Sequence, residues 1–543
     1  MKNHFIQRAS QIIFHDRDII PYSLGVLLEN MLKTASPVLM GYFIDAIIHH
    51  GAIWRISSAM VGSALLVILL HRGLRTMICR ISRDTELELQ QTLLSKFCAM
   101  RPLAVDNYRQ GEVALKFFRD VANVGLMIRE LFPRLLYGVF NIALTIAVVV
   151  WKNYIMAIAA LAFVPLVVWR LRPYQQQFER IQKNIRRMYD LSMNRIFEFM
   201  HIFPYLKAMD ADAAFSAEPV RKFHRFNQLF RKDDCNNTSF EFADRVILFI
   251  GEYAVVIIAG YLAWRNRISV GDVVVFQCLF LSVLNATTEF FKIFPQWAQI
   301  RESIISVDEL LLTEQTENIQ SGVILPSFCC DITVKNVTFF YPKVKIPALH
   351  GVNCHITAGT VVAITGANGR GKTTFLKLIS NYMPCDKGEI WFGEVEVHDI
   401  CKSYMRKKIA FVFQDALLIT GNIRDNITLK NLKYTEREIS EALRLSGADS
   451  VVSRLPDGLS HRIGFDGGGL SGGERQKIAI ARAIIRRPDI LILDEVTNHL
   501  DYESRIKMRF MIAAMRGKCT IFMVSHDPEL VGLCDQQINL DDI

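Results

Sequence analysis

Among the eleven cysteines (79, 98, 235, 278, 329, 330, 354, 385, 401, 519 and 534) there is no Cys-x-x-Cys pair and no Cys/His metal spacing. That absence argues against a disulfide framework and a zinc module, and the thiols read as reduced or buried groups. No cleavable signal opens the sequence. Residues 1–18 are polar and charged, and the apolar run after them is long enough to span a bilayer. Nor is there an internal repeat or a low-complexity tract, which excludes a repeat array.

What is present is length and grease. A chain of 543 residues suits two or three domains. Hydrophobic residues make up 51%, with 35 phenylalanines, more than a soluble protein of ordinary composition carries. The net charge of +9 would suit a nucleic-acid partner if the cations formed one patch. They flank apolar runs instead, which reads as the cytoplasmic loops of a membrane protein and not as a nucleic-acid surface.

Apolar stretches sufficient for a bilayer span lie near 19–48, 55–79, 131–151, 153–172, 243–264 and 272–295. Lys152-Asn153 makes a tight hairpin between the third and fourth, and residues 268–272 make another between the fifth and sixth. Charged segments of helical character fill 80–130 and 173–242. Their basic residues (Arg75, Arg80, Arg83; Arg172, Arg180, Lys183, Arg186, Arg187) put both segments and the N-terminus on the cytoplasmic side, with Arg265 and Arg267 running weakly against that rule. Charged residues also stand inside spans: Glu29 and Lys33, Glu252, Glu289 and Lys292. Such groups either pair with one another and set helix register, or line a polar cavity for an amphipathic substrate.

From residue 332 the pattern changes to short β-branched runs at 332–340, 360–365, 409–413 and 489–493, with helical stretches between, which predicts a parallel α/β core. The run Val361-Val-Ala-Ile-Thr365 feeds directly into Gly366, Ala367, Asn368, Gly369, Arg370, Gly371, Lys372, Thr373 and Thr374. This fits a phosphate-binding loop: glycines let backbone N–H groups turn toward phosphate oxygens, and the following helix presents its positive end. Lys372 is expected to reach the β- and γ-phosphates, and the Thr373 hydroxyl to bind Mg2+. Arg370 is bulky where a small residue is commoner, and its side chain is expected to point outward. A second apolar strand, Ile490-Leu-Ile-Leu, ends in Asp494 and Glu495. Asp494 would bind Mg2+ through water, and Glu495 would act as general base on the attacking water.

With Leu470-Ser471-Gly472-Gly473-Glu474 between them, these residues resemble the nucleotide-binding domain of an ABC transporter, whose signature motif the last run matches. The resemblance implies that Tyr341 stacks on adenine, that Gln414 senses Mg2+ and contacts the membrane helices, and that Asp501 ends a D-loop. It also implies that His526 contacts the γ-phosphate, and that Glu495 and His526 together make an active ATPase. In that family Ser471, Gly472 and Gly473 contact ATP held by an opposing domain, so one such domain per chain implies a dimer, most simply a C2 homodimer.

The N-terminal half is similar to six-helix exporters, through Asn107-Tyr-Arg-Gln-Gly-Glu112 with Asp120-Val121 and through residues 37–45. The expected fold class is an α-helical transmembrane domain (1–310), a linker (311–331) and an α/β P-loop ATPase domain (332–543). The expected function is ATP-driven export of an amphipathic cargo, a small modified peptide, across the bacterial inner membrane, with the nucleotide domain in the cytoplasm. No cysteine-protease domain precedes the first span, and the sequence ends soon after His526, which resembles exporters of small peptide natural products. Multidrug or lipid export fits the same layout. A soluble ATPase acting on ribosomes and a channel regulator are the competing classes.

Overall fold

The computed structural model describes residues 17–51, 53–105, 108, 110–158, 196, 199–200, 202–291, 293–313, 316–342, 344–464, 467–497, 500–525 and 527–541. Two compact units emerge: Met1–Cys98 with Tyr108–Thr313, and Ala99–Asn107 with Glu314–Ile543.

The first unit is helical. Helix α1 runs Ile19–Ile48 and α2 runs Ile53–Cys98. Helical backbone from Gln110 passes through two π-helical stretches, Lys116–Asp120 and Met127–Leu131, into α3, Phe132–Lys152. Helices α4 (Asp212–Trp264), α5 (Val270–Phe291) and α6 (Ile293–Leu311) follow. Ile19–Ile48, Ile53–Cys98, Val113–Lys152 and Val270–Phe290 are long and apolar enough to cross a membrane, and Leu248–Trp264 is a shorter apolar helix. The expected fourth span lies outside the described residues beyond its first turn.

Where the sequence reading separates a span ending near 79 from a charged segment, α2 continues unbroken. No glycine or proline falls between Leu74 and Cys98 to stop it. Both expected hairpins have a polar reason. Asn153 is extended after α3, and its Oδ1 accepts the Ile155 N–H at 2.9 Å, which starts the next helix. At α5, Ser269 Oγ accepts the Asp272 N–H at 3.0 Å and Asp272 Oδ2 accepts the Ser269 N–H at 3.3 Å.

Helices α1 and α5 meet backbone to backbone. A Cβ on Gly271 would stand 2.1 Å from the Gly41 carbonyl oxygen, so only glycine fits this crossing. Beside it, Asp45 Oδ1 accepts the Gly271 N–H at 2.8 Å, and Lys152 pairs with Asp272 at 2.6 Å.

The second unit holds two sheets. Strands β1 (Ile332–Phe339), β2 (Leu349–Ile356), β4 (Lys387–Phe392) and β5 (Val395–Glu396) form an antiparallel sheet in the order β2-β1-β4-β5. A parallel sheet runs β9-β3-β8-β7-β6, built from β3 (Val361–Thr365), β6 (Ile409–Val412), β7 (Ile490–Asp494), β8 (Thr520–Val524) and β9 (Gln536–Asn539). Strands β7 and β8 are buried throughout and β3 at four of its five residues, as a parallel sheet covered on both faces requires.

Helix α7 (Lys372–Ile379) follows the phosphate loop. Helices α8 (Glu436–Ser446) and α9 (Gly472–Ile484) share an apolar cluster with Leu418, Ile423, Ile439, Leu443, Ile478 and Ile485, and α9 also packs Ala479, Ile480, Ala483 and Ile484 on the parallel sheet. Helix α10 (Tyr502–Met515) packs Met508, Met511 and Ile512 against the parallel sheet. Ala99–Asn107 joins this unit through the short helix Pro102–Val105: Ala99 O accepts the Glu317 N–H at 2.7 Å, and Leu103 packs on the core of the antiparallel sheet.

Candidate functional site

The site forms at the carboxyl ends of β3 and β7, where open parallel sheets place their ligands. Three loop glycines have positive φ: Gly366 (141°), Gly369 (85°) and Gly371 (82°). At Gly371 a Cβ would also lie 2.4 Å from Ala348 O, so geometry and space both require glycine. Ala367, Asn368 and Arg370 are exposed at the rim. Lys372 is buried and folds back, donating to Gly366 O at 2.7 Å, in reach of anything the loop's N–H groups hold.

Asp494 ends β7 almost wholly buried, at 2% exposure. Thr373 hydrogen-bonds its carboxyl, yet among the described residues Oδ1 has no hydrogen-bond partner. Desolvation by burial raises its pKa, reinforced by the neighbouring Glu495 charge and opposed by the Thr373 hydrogen bond, Lys377 and Lys372. Glu495 takes φ 49°, a left-handed backbone that a non-glycine residue adopts at a cost of about 1–3 kcal/mol. Gln414 Nε2 donates to Glu495 Oε2 at 2.9 Å, so residues 81 positions apart meet. The structure therefore brings Lys372, Thr373, Asp494, Glu495 and Gln414 to one place.

Tyr341 sits beside the loop, its hydroxyl 3.1 Å from Thr374 Oγ1 and its ring edge-on to Phe339. Ser471 caps α9, accepting the Glu474 N–H at 3.4 Å, while Glu474 accepts the Ser471 N–H at 2.8 Å. Gly472 and Gly473 open that helix, and Arg454 pairs with Glu474. This signature segment opens α9, which packs on the α8–α9 cluster and on the face of the parallel sheet opposite α7. Asp501 caps α10 through the Ser504 N–H at 3.0 Å, and that hydrogen bonding holds its carboxyl below the usual range. His526 lies outside the described residues.

Two residues escape a linear reading. Asp541 Oδ2 accepts the Ala367 N–H at 2.8 Å, and its Oδ1 pairs with Arg370 Nε at 3.1 Å, which is where that outward cation goes. Arg482 on α9 reaches Asn426 O at 2.7 Å and Leu417 O at 2.9 Å, tying the signature helix to the segment after Gln414. Neither carries a local signal, since each partner is distant in sequence.

Comparison with known proteins agrees with this geometry. The ABC transporter model matches residues 349–498, and the ABC transporter transmembrane region matches residues 20–287. The exotoxin translocation ATP-binding protein PaxB of Pasteurella aerogenes is 26% identical over 98% of this chain and 75% of that protein. The alpha-hemolysin translocation ATP-binding protein HlyB of Escherichia coli is 31% identical over 52% of this chain, a match spanning 40% of its own length. A bacterial Atm1-family ABC exporter with ATP bound shares the fold at a TM-score of 0.83 and 21% identity, covering 97% of this chain and 93% of that one. The chain belongs to the ABC transporter family: it is an integral membrane ATPase with the exporter half-transporter layout, one transmembrane region fused to one nucleotide-binding domain.

Proposed function

We propose that two copies of this chain close head to tail on two ATP molecules and use that closure to export a small modified peptide across the bacterial inner membrane. The observation that carries the dimer is placement: the phosphate loop opens α7 on one face of the parallel sheet, and the Ser471 segment opens α9 on the other. ATP held by residues 366–374 and stacked on Tyr341 is then covered by Ser471, Gly472 and Gly473 of the second copy. Closure completes the site, so ATP binds the closed state more tightly, and that difference in affinity drives the switch.

Within the site, Glu495 accepts a proton from the attacking water, and His526 is assigned to the γ-phosphate. The unpartnered Asp494 Oδ1 beside Thr373, with Gln414 near, is an all-oxygen donor set that fits Mg2+. Bound there, Mg2+ would offset the phosphate charge. Gln414 commits Nε2 to Glu495, so its amide oxygen is the atom it would offer the ion.

Residues 1–310 are assigned to the membrane domain, 311–331 to the linker and 332–543 to the nucleotide domain. Arg75, Arg80 and Arg83 favour a cytoplasmic N-terminus and nucleotide domain. The peptide cargo is favoured by relatives whose names describe translocation of toxins. The test is reconstitution in inside-out vesicles. ATP-dependent, vanadate-sensitive accumulation of a modified peptide is expected. Equal accumulation without ATP, or recovery of the protein soluble without detergent, would overturn the reading.

A further inference from the structure

A carboxylate in the helical unit is sealed from behind by groups from three helices. Glu29 on α1 is 1% exposed. Its Oε1 accepts from Lys33 Nζ at 2.8 Å, one turn along α1, and from His71 Nδ1 on α2 at 3.0 Å, and it also accepts the Tyr137 hydroxyl proton from α3. Lys33 further contacts the Tyr137 hydroxyl and lies 4.4 Å from the ring centroid.

The outer side of this group differs from the inner. Lys33 is 39% exposed and His71 60%. Measured along the helices from Ile48, Ile53 and Lys152, the cluster lies about 22–28 Å from the loop ends, inside a hydrocarbon core of about 30 Å. At that depth they stand about 2–8 Å inside the far boundary of the core, where an ammonium and an imidazole are open to polar solutes arriving from that face. Glu29 already balances the Lys33 charge, so a register-fixing ion pair would be complete without α2 or α3. His71 adds a further ring nitrogen: with Nδ1 committed to Glu29, Nε2 remains for another partner.

Resting on the exporter reading, we propose that Lys33 and His71, held from behind by Glu29 and Tyr137, form a cargo subsite for a carboxylate carried on an apolar body. Glu29 and Tyr137 are positioning residues; the Lys33 ammonium contacts the anion, and His71 joins it through an Nε2–H when the ring carries both protons. A peptide C-terminus and a fatty acid share this chemistry.

The test is equilibrium binding of three labelled probes to the full chain in phosphatidylcholine liposomes: a hydrophobic N-acetylated tripeptide acid, its C-terminal amide, and oleate. The acid should bind about tenfold more tightly than the amide, the scale of one charge-assisted hydrogen bond. Lys33→Gln and His71→Gln should each erode that preference while amide binding persists, and Lys33→Arg retains it. Oleate binding as tightly as the acid assigns the subsite to carboxylates in general; weak oleate binding assigns it to the peptide terminus. No acid-over-amide preference in the wild-type chain, including no binding of either, overturns the proposal, as does a preference that survives both Gln variants. Absence of vesicle transport with the preference intact would overturn the exporter reading alone.

Discussion

The helical unit and the nucleotide unit each bury a carboxylate, and they treat it in opposite ways. Glu29 is met by donors from Lys33, His71 and Tyr137, so its charge is answered inside the protein. Asp494 has Thr373 as a hydrogen-bond partner, a second carboxylate as neighbour and, among the described residues, one oxygen with none. A saturated acid works as a tether; an unsaturated one stays costly until an incoming charge meets it. Tethering therefore belongs to the membrane region and chemistry to the ATPase region.

The sharpest test of that division is Glu495→Gln. Removing the general base is expected to lower ATP turnover by about 10²-fold or more. ATP affinity should stay near wild type, because a glutamine keeps the size and can still pair with Gln414. Vanadate-sensitive phosphate release measures the first and nucleotide binding the second. Turnover within a few-fold of wild type would move the chemistry elsewhere.

A paired exchange tests the comparison directly. Glu29→Gln leaves Lys33 without its counter-charge and is expected to destabilise the chain by about 1–3 kcal/mol, read from its thermal unfolding midpoint. Asp494→Asn is expected to act with the other sign in nucleotide-free protein. Burial raises the Asp494 pKa, so the folded state disfavours its charged form. Below the unfolded aspartate value both states are protonated and nothing is lost; as pH rises through that value toward the folded one, stability falls. Asn removes this fall, and the nucleotide-free variant should unfold at a higher temperature near neutral pH while losing Mg2+-dependent ATP affinity. Two shifts of the same sign would dissolve the distinction.

How much of each unit was legible follows from the same contrast. The ATPase groups lie in short linear runs, because a strand delivers its last residues directly to the phosphate: Val361–Thr365 leads to Lys372, and Ile490–Asp494 to Glu495. The strands β2, β4, β8 and β9 stand outside the runs read from the sequence: polar, half-exposed residues hide the alternation in β2, β4 and β9, whereas β8 is a buried apolar run that its composition alone could have shown. In the helical unit Glu29 and Lys33 could be paired from their spacing alone. His71 and Tyr137, 42 and 108 positions from Glu29, could not, because their meeting depends on how three helices pack.

A further contrast concerns backbone and is smaller. The α1–α5 crossing tolerates no side chain: the atom nearest a Cβ on Gly271 is the Gly41 carbonyl oxygen, which cannot rotate away. Gly271→Ala is expected to cost about 1–3 kcal/mol as the helices separate, with ATP affinity unchanged. Thermal unfolding with nucleotide titration checks both, and an unchanged midpoint would show that the two helices part freely.

The smallest expected effect sits at the edge of the phosphate loop. Asp541 holds the loop at two points, the Ala367 N–H and Arg370, but the ion pair is open to solvent, with Arg370 60% and Asp541 36% exposed. Pairs this exposed contribute about 0–1 kcal/mol. Asp541→Asn keeps an oxygen for the Ala367 N–H and removes only the charge, so the ATP concentration for half-maximal turnover should change by about two- to threefold with maximal turnover unchanged. Its sign decides what Asp541 does. A rise means that the carboxylate shapes the loop for ATP, and a fall that its negative charge repels the phosphates. Equal loss in Asp541→Asn and Asp541→Ala would assign the effect to the charge, and loss in Asp541→Ala alone to the hydrogen bond with Ala367.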